Sequence, residues 1–438
     1  MLSSFFRIAF RYLVKNKLYS VLNIFGLTVG LICFVILSLY VREQFDKDTY
    51  HAHSEEIYRV LVARDDTTEV EPNWEIMTQF PVAELFKEGI PEVKNTVRFG
   101  QTSELLVEAG QRKFKIQSLH FADPSLFDVF DFDVLAQSKP LDQQTVSELI
   151  IVKSEAEKLF DSPSGAISQT VNLNGYGMFK VIGVIDDLGQ ETHMGFKYIL
   201  PVEQSDKAYG EDGRYRDWGV LSGFPLYVQI EENAQVEDIE HKAKTLLQPH
   251  IKNMSVRLEP VSEVYFSKLY SFFKKTGDKQ FIRLYLLVGL LILFIACINY
   301  TNLSTARYLK RAKEVGIRKT VGGYRSQIIT QFFIESIALA FIAVVLSVCF
   351  TEILLPSFNA FAGSSIFIDY QSPFTYLFMV LAVLGIGVFA GLYPAVFLSR
   401  FSATQILSGS VTKGKSGLLF RNILVVVQFF ICIGLFIS

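Results

Sequence analysis

Arg311-Ala-Lys-Glu-Val-Gly-Ile-Arg-Lys-Thr-Val-Gly322 sets four cations and one acid between two long apolar runs, 284–299 and 328–355. A helix needs roughly 20 mostly apolar residues to cross a bilayer. The run after the quoted segment reaches that length alone. The run before it does so over 281–300, with Arg283 snorkelling at its end. Two further runs, 18–41 and 374–398, are long enough as well. Backbone groups in lipid must bond within their own segment, so these runs are expected to be helices. The quoted stretch is then a charged connection held against a membrane surface.

Which surface follows from the positions of Lys and Arg. Residues 1–17 carry Arg7, Arg11, Lys15 and Lys17 and no acid. The segment 304–327 holds seven Lys/Arg against Glu314 alone, and 399–422 holds Arg400, Lys413, Lys415 and Arg421 with no acid. These three stretches are expected in the cytoplasm. Residues 42–283 carry 27 Lys/Arg and 40 Asp/Glu, a balance of 27 − 40 = −13 that the whole-chain charge of −2 conceals. No large basic face is left for nucleic acid.

The expected organisation begins with an amphipathic helix on the cytoplasmic leaflet over 1–17, with a plain positive flank as the simpler alternative. Transmembrane helices follow over 18–41, 281–303, 328–355 and 374–398, with an exported domain over 42–280. A cytoplasmic coupling segment covers 304–327 and a cytoplasmic linker 399–422. The last run, 423–438, is too short to span and reads as a truncated fifth helix. Phe420-Arg421 before it echoes Phe6-Arg7 before the first, the hint of a second copy of the unit. The first apolar run has no small-residue cleavage site behind it and reads as a retained anchor.

The exported region alternates strand and helix signals without a repeat, so its expected class is α+β. Leu149-Ile-Ile-Val152, Phe179-Lys-Val-Ile-Gly-Val-Ile185 and 226–230 read as strands, and Asn172-Leu-Asn-Gly175 as a turn. Helices are expected at 154–160, which opens on Ser with Glu three later, and near 236–247. All four cysteines (Cys33, Cys297, Cys349, Cys432) fall in apolar runs, so this region must be stable without disulfides.

Several motifs are weaker than they look. Gly409-Ser-Val-Thr-Lys-Gly414-Lys415-Ser416 matches a phosphate loop as a pattern. It sits between two membrane runs, with no buried strand before it and no downstream acid for magnesium, so a nucleotide site is not expected. His51-Ala-His53 would share a face on a strand, but no third metal ligand is identifiable. His193 follows Asp186, Asp187 and Glu191 without a Ser or Cys nucleophile set up around it. Trp74 and Trp218 read as packing residues. Neither a catalytic group, a metal site nor a cofactor is expected. Glu335 and Glu352 lie in the third membrane run, Glu335 about two turns from the cytoplasmic face and Glu352 near the outer end.

Residues 308–319 can form a short helix with Glu314 and Arg318 at i and i+4. Gly316 permits a close approach or a break, and Gly322-Gly323 ends the element. A loop that only sets orientation would explain the cations but not their interleaving with Glu, Gly, Val315 and Ile317. Here the string Lys313-Glu-Val-Gly-Ile-Arg-Lys319 resembles the cytoplasmic coupling segment of FtsX-like ABC transporter permeases. Asn299-Tyr-Thr-Asn-Leu-Ser-Thr-Ala-Arg307 and Gly391-Leu-Tyr-Pro-Ala-Val-Phe-Leu-Ser-Arg-Phe401 agree with it. The exported region resembles the periplasmic core domain of MacB-like permeases at Glu56-Ile-Tyr-Arg-Val60, Phe127-Asp-Val-Phe130 and Val181-Ile-Gly-Val-Ile-Asp-Asp187.

The resemblance implies a permease subunit in the bacterial inner membrane, with its N-terminus cytoplasmic and its large domain periplasmic. It would pair with a separate ABC-type ATPase through Arg311, Lys313, Glu314, Val315, Gly316, Ile317, Arg318 and Lys319. Surrounded by membrane lipid, it would work as a dimer or tandem pseudo-dimer and pass ATP-driven motion to a periplasmic partner or cargo. The alternative is a membrane receptor or cell-envelope regulator whose exported domain senses or activates a partner.

Overall fold

A computed structural model describes residues 17–64, 72–189, 192–210, 212–220, 223–269, 276–320, 324–399 and 415–437. The helix expected over 1–17 lies outside the described residues except for Lys17. So do 400–414, which hold most of the expected linker and of the phosphate-loop-like string. The chain divides into two compact units, Gln44–Lys279 and the remainder, Met1–Glu43 with Gln280–Ser438.

Among the described residues the helices of two turns or more are α1 (Lys17–Phe45), α2 (Val82–Gly89), α3 (Lys153–Phe160), α4 (Val236–Leu247), α5 (Lys279–Thr320), α6 (Arg325–Ala362), α7 (Pro373–Ser399) and α8 (Lys415–Ile437). The strands are β1 (Ile57–Arg64), β2 (Met77–Thr78), β3 (Val93–Thr102), β4 (Leu105–Ala109), β5 (Arg112–Ile116), β6 (Leu119–Ala122) and β7 (Val134–Gln137). They continue as β8 (Glu148–Val152), β9 (Thr170–Leu173), β10 (Gly177–Ile185), β11 (Tyr198–Pro201), β12 (Phe224–Ile230) and β13 (Met254–Pro260).

The Gln44–Lys279 unit is built on one mixed sheet in the order β13-β1-β12-β3-β6-β11-β8-β10-β9-β4-β5, with β2 on β12 and β7 on β10. Two pairs are parallel, β8 with β10 and β6 with β11. β12 explains how the layers form. All seven of its residues are buried, because it lies between β1 and β3 with both faces covered. Side chains alternate across a strand. Leu226, Val228 and Ile230 therefore pack with Phe86 of α2 and Ile239, Ala243 and Leu247 of α4. Tyr227 enters the opposite cluster with Phe99, Phe130 and Phe196. A third cluster fills the far end of the sheet around Phe121, Leu149, Ile151, Val181 and Tyr198. The turn read near 172–175 falls at 174–176, between β9 and β10, where Gly175 takes a positive φ of 85° that other residues rarely adopt.

In the other unit, three described stretches are long and apolar enough to cross a membrane: Lys17–Phe45, Lys279–Thr305 and Ser326–Ala362. Pro373–Phe389 and Asn422–Leu435 are shorter apolar helices. Small residues let them pack closely. A Cβ built on Gly30 of α1 would fall 2.7 Å from the Ala296 Cβ of α5, and one on Gly387 of α7 would fall 2.7 Å from Ile337 of α6. Leu27, Leu31, Ala296, Leu339, Ala340, Ala343 and Ile386 fill the interior, while Phe25, Phe361 and Phe389 are largely exposed.

One expectation needs correction. The segment 308–319 is not a separate short helix, and Gly316 does not break it: α5 runs unbroken from Lys279 to Thr320. A single glycine costs about 1 kcal/mol in a helix, which the good helix formers Arg, Ala, Lys and Glu around it offset.

Candidate functional site

The residues expected to couple to an ATPase lie on the last turns of α5. Ile317 has its side chain described and is 56% exposed. The side chains of Arg311, Lys313, Glu314, Val315, Gly316, Arg318 and Lys319 lie outside the described residues.

Immediately before this end of α5, buried polar side chains stitch three helices together. Tyr19 of α1 and Ser304 of α5 share a hydrogen bond of 2.6 Å between their hydroxyls. Tyr300 of α5 donates to Ser336 Oγ of α6 at 2.9 Å. Asn23 donates to the Tyr19 carbonyl, and Gln331 of α6 to Glu335 Oε1 at 3.1 Å. Tyr300, Ser304, Glu335 and Ser336 are all at most 3% exposed. Hydrogen bonds of this kind between apolar helices contribute roughly 0.6–2 kcal/mol each. The seam fixes how α5 and α6 sit beside α1 just where α5 emerges as the cationic segment. Glu335 thereby appears as a buried, hydrogen-bonded member of the seam, and Glu352 accepts from the Tyr370 hydroxyl at 2.7 Å. Sequence reading missed Tyr19, Asn23, Tyr300 and Ser304. The signal was present in the polar string 299–305 that ends an apolar run.

The histidines sort differently from their neighbours in sequence. His193 Nδ1 lies 2.8 Å from the Asp48 carboxylate, while Asp186 pairs with Lys153, Asp187 accepts from the Ser154 N–H, and Glu191 lies outside the described residues. Its Nε2 meets the Tyr227 hydroxyl at 2.8 Å, while Thr192 Oγ1 and the His193 N–H donate to Asp48. Burial pushes the Asp48 carboxyl up, but the His193 charge and these hydrogen bonds outweigh it and hold it below its usual range. With Asp48, His193 and Tyr227 at most 1% exposed, the chain of groups is closed to substrate and serves as a core lock. His51 and His53 do not share a strand face, because they precede the short helix Ser54–Glu56. His51 is buried and accepts from the Asp131 N–H, whereas His53 meets Glu56. No group of three or more His, Cys, Asp or Glu able to hold a metal occurs among the described residues.

Comparison with known proteins gives two domain matches, a MacB-like periplasmic core domain over residues 20–246 and an FtsX-like permease C-terminal domain over 286–403. The chain is 21% identical to the uncharacterized ABC transporter permease YvrN of Bacillus subtilis, over 92% of this chain and 98% of that protein. It is 23% identical to the macrolide export ATP-binding/permease protein MacB of Bartonella quintana, over 78% of this chain and 48% of that one. Among solved structures, the periplasmic region of MacB from Actinobacillus actinomycetemcomitans matches 46% of this chain and 88% of that one, at 16% identity and a TM-score of 0.34.

Proposed function

Since the chain belongs to the MacB-like ABC transporter permeases with an FtsX-like permease region, we propose that it passes ATP-driven motion from a separate ATPase to its large domain. The function served is export, efflux or lipoprotein handling. In this reading the protein sits in the bacterial inner membrane as a dimer or tandem pseudo-dimer, with N-terminus and coupling segment cytoplasmic and the Gln44–Lys279 unit periplasmic. ATP binding, named in the Bartonella relative, is here supplied by the second protein.

The observation that carries the reading is the continuity of α5. A helix of 42 residues joins the apolar stretch to the cationic one without a hinge, so displacement at Lys313–Lys319 moves the apolar stretch with it. At 1.5 Å per residue the rod is about 63 Å long. Arg311, Lys313, Arg318 and Lys319 offer charge to an acidic groove, and Ile317 an apolar anchor. Glu314 fixes polarity within the patch.

The test is the full chain purified with its ATPase, carrying Glu314→Arg or Gly316→Trp. Both variants should fold normally yet lose stimulation of ATP hydrolysis, down to the rate of the ATPase alone. Wild-type complex formation and stimulation in both would sink the assignment.

A further inference from the structure

One end of the large domain's sheet opens into a polar cleft of about 580 Å³. That volume lies in the range of small-ligand sites, roughly 300–1,000 Å³. Its walls follow from strand pairing. β1 ends at Arg64 opposite Met254, the first residue of β13. Glu75 exchanges both backbone hydrogen bonds with Val62, at 2.9 and 2.8 Å, and so brings the 72–79 stretch across the mouth.

Three observations define what the cleft would hold. First, among the described lining residues Arg64, His250 and Lys252 stand against a single acid, Glu75, inside a domain whose overall balance is strongly negative. Many of the domain's cations are ion-paired, including Arg59, Lys94, Arg98, Arg112 and Lys242. Arg64 and Lys252 form no ion pair among the described residues. Among the described lining residues Arg64 and Lys252 against Glu75 give a formal balance of 2 − 1 = +1, which suits one carboxylate. Second, Gln79 is 7% exposed, and its side-chain oxygen has no hydrogen-bond donor. A buried acceptor left this way is unfavourable, and a ligand N–H would relieve that cost. Third, Trp218 and His250 stack with ring centroids 4.0 Å apart and planes 13° apart, making a flat wall for an apolar side chain.

One anionic group, one N–H donor and one side chain within a few ångströms are the features of a polypeptide C-terminus. We propose that this cleft binds the C-terminal carboxylate end of a peptide or protein chain. Arg64 and Lys252 take the carboxylate, Gln79 accepts a backbone N–H, and the Trp218–His250 wall receives the last side chain. The site is independent of ATPase coupling.

The test uses the full chain in detergent and a pooled set of acetylated tripeptides varied at the last residue, each as free acid and as C-terminal amide. The chain has only two tryptophans, so the Trp74→Phe background makes emission report Trp218 alone. Free acids should give a saturable emission change, and amides should bind about tenfold or more weakly, as loss of a charge-assisted contact predicts. Arg64→Gln with Lys252→Gln should abolish binding, and Gln79→Met should weaken it while circular dichroism stays unchanged. Absence of saturable binding across the pool would overturn the proposal. So would amides as tight as acids, a double variant with wild-type affinity, or acetate competing as well as the best tripeptide. The last result would mark a simple anion site. Stimulation of the ATPase should be unaffected by the Arg64 and Lys252 changes, so this proposal and the coupling assignment stand or fall separately.

Discussion

His51 and His120 are each 2% exposed, and burial holds both imidazoles well below their ordinary value, at about 4. The unfolded chain takes up these protons near pH 6.5, before the folded one can. Stability is therefore complete above about pH 6.5, falls as pH drops toward about 4, and stops falling on this account below that. For His120 alone the window is worth about 3 kcal/mol. His120→Phe, beside Phe196 at 6.2 Å between ring centroids, should flatten the dependence of the thermal midpoint on pH between 7 and 4. An unchanged slope would show that this side chain does not titrate as described. Neither this burial nor the Asp48–His193 contact was legible in the sequence. The two residues of that pair lie 145 positions apart, a separation that no local pattern bridges. The coupling role proposed for 311–319 rests on local order alone, cations interleaved with Glu, Gly and Ile along one stretch.

Among elements, the apolar helices could be read from composition because each is defined by its own run of residues. Their contacts could not, since these depend on which small residues face each other. Gly30 against Ala296 is the clearest case. Gly30→Ala should press α1 away from α5 and cost about 1–3 kcal/mol, as overpacking does in tightly filled interiors. Ala296→Gly in the same chain should restore most of it. Thermal midpoints of the full chain in detergent check both, and a double variant no more stable than Gly30→Ala would refute the contact. Sheet strands were found where sequence is locally apolar, as at Leu149–Val152. Their order was hidden because β1 pairs with β13 about 200 residues later, a match that no local pattern encodes. The unbroken α5 was hidden for the opposite reason, since Gly316 reads as punctuation and the surrounding helix formers override it.

For the whole molecule, charge and cysteine placement were plain in the sequence, whereas the joining of the large domain's two chain ends was not. Its first residues and its last meet on one short segment. Tyr265 donates to Gln44, Lys47 lies 4.8 Å over the Tyr265 ring, and Phe45 packs on Phe266 at 5.3 Å. From the other end, Lys279 pairs with Glu263, and the Gly277 N–H donates to the Tyr265 carbonyl. Tyr265→Ala should therefore speed amide exchange in Ile57–Arg64 and Met254–Pro260 by about tenfold, leaving Glu148–Val152 unchanged. A uniform increase, or none, would argue against a shared clamp. The clamp also decides how the domain bears mechanical load. β1 and β13 are antiparallel neighbours whose outer rung, Tyr58 with Pro260, lies nearest both ends. Pulling the ends apart would unzip that pair one rung at a time, the weakest direction for a sheet. Tied at Tyr265, the ends instead travel together, so a tug becomes a displacement of the whole domain and the sheet is spared the tension.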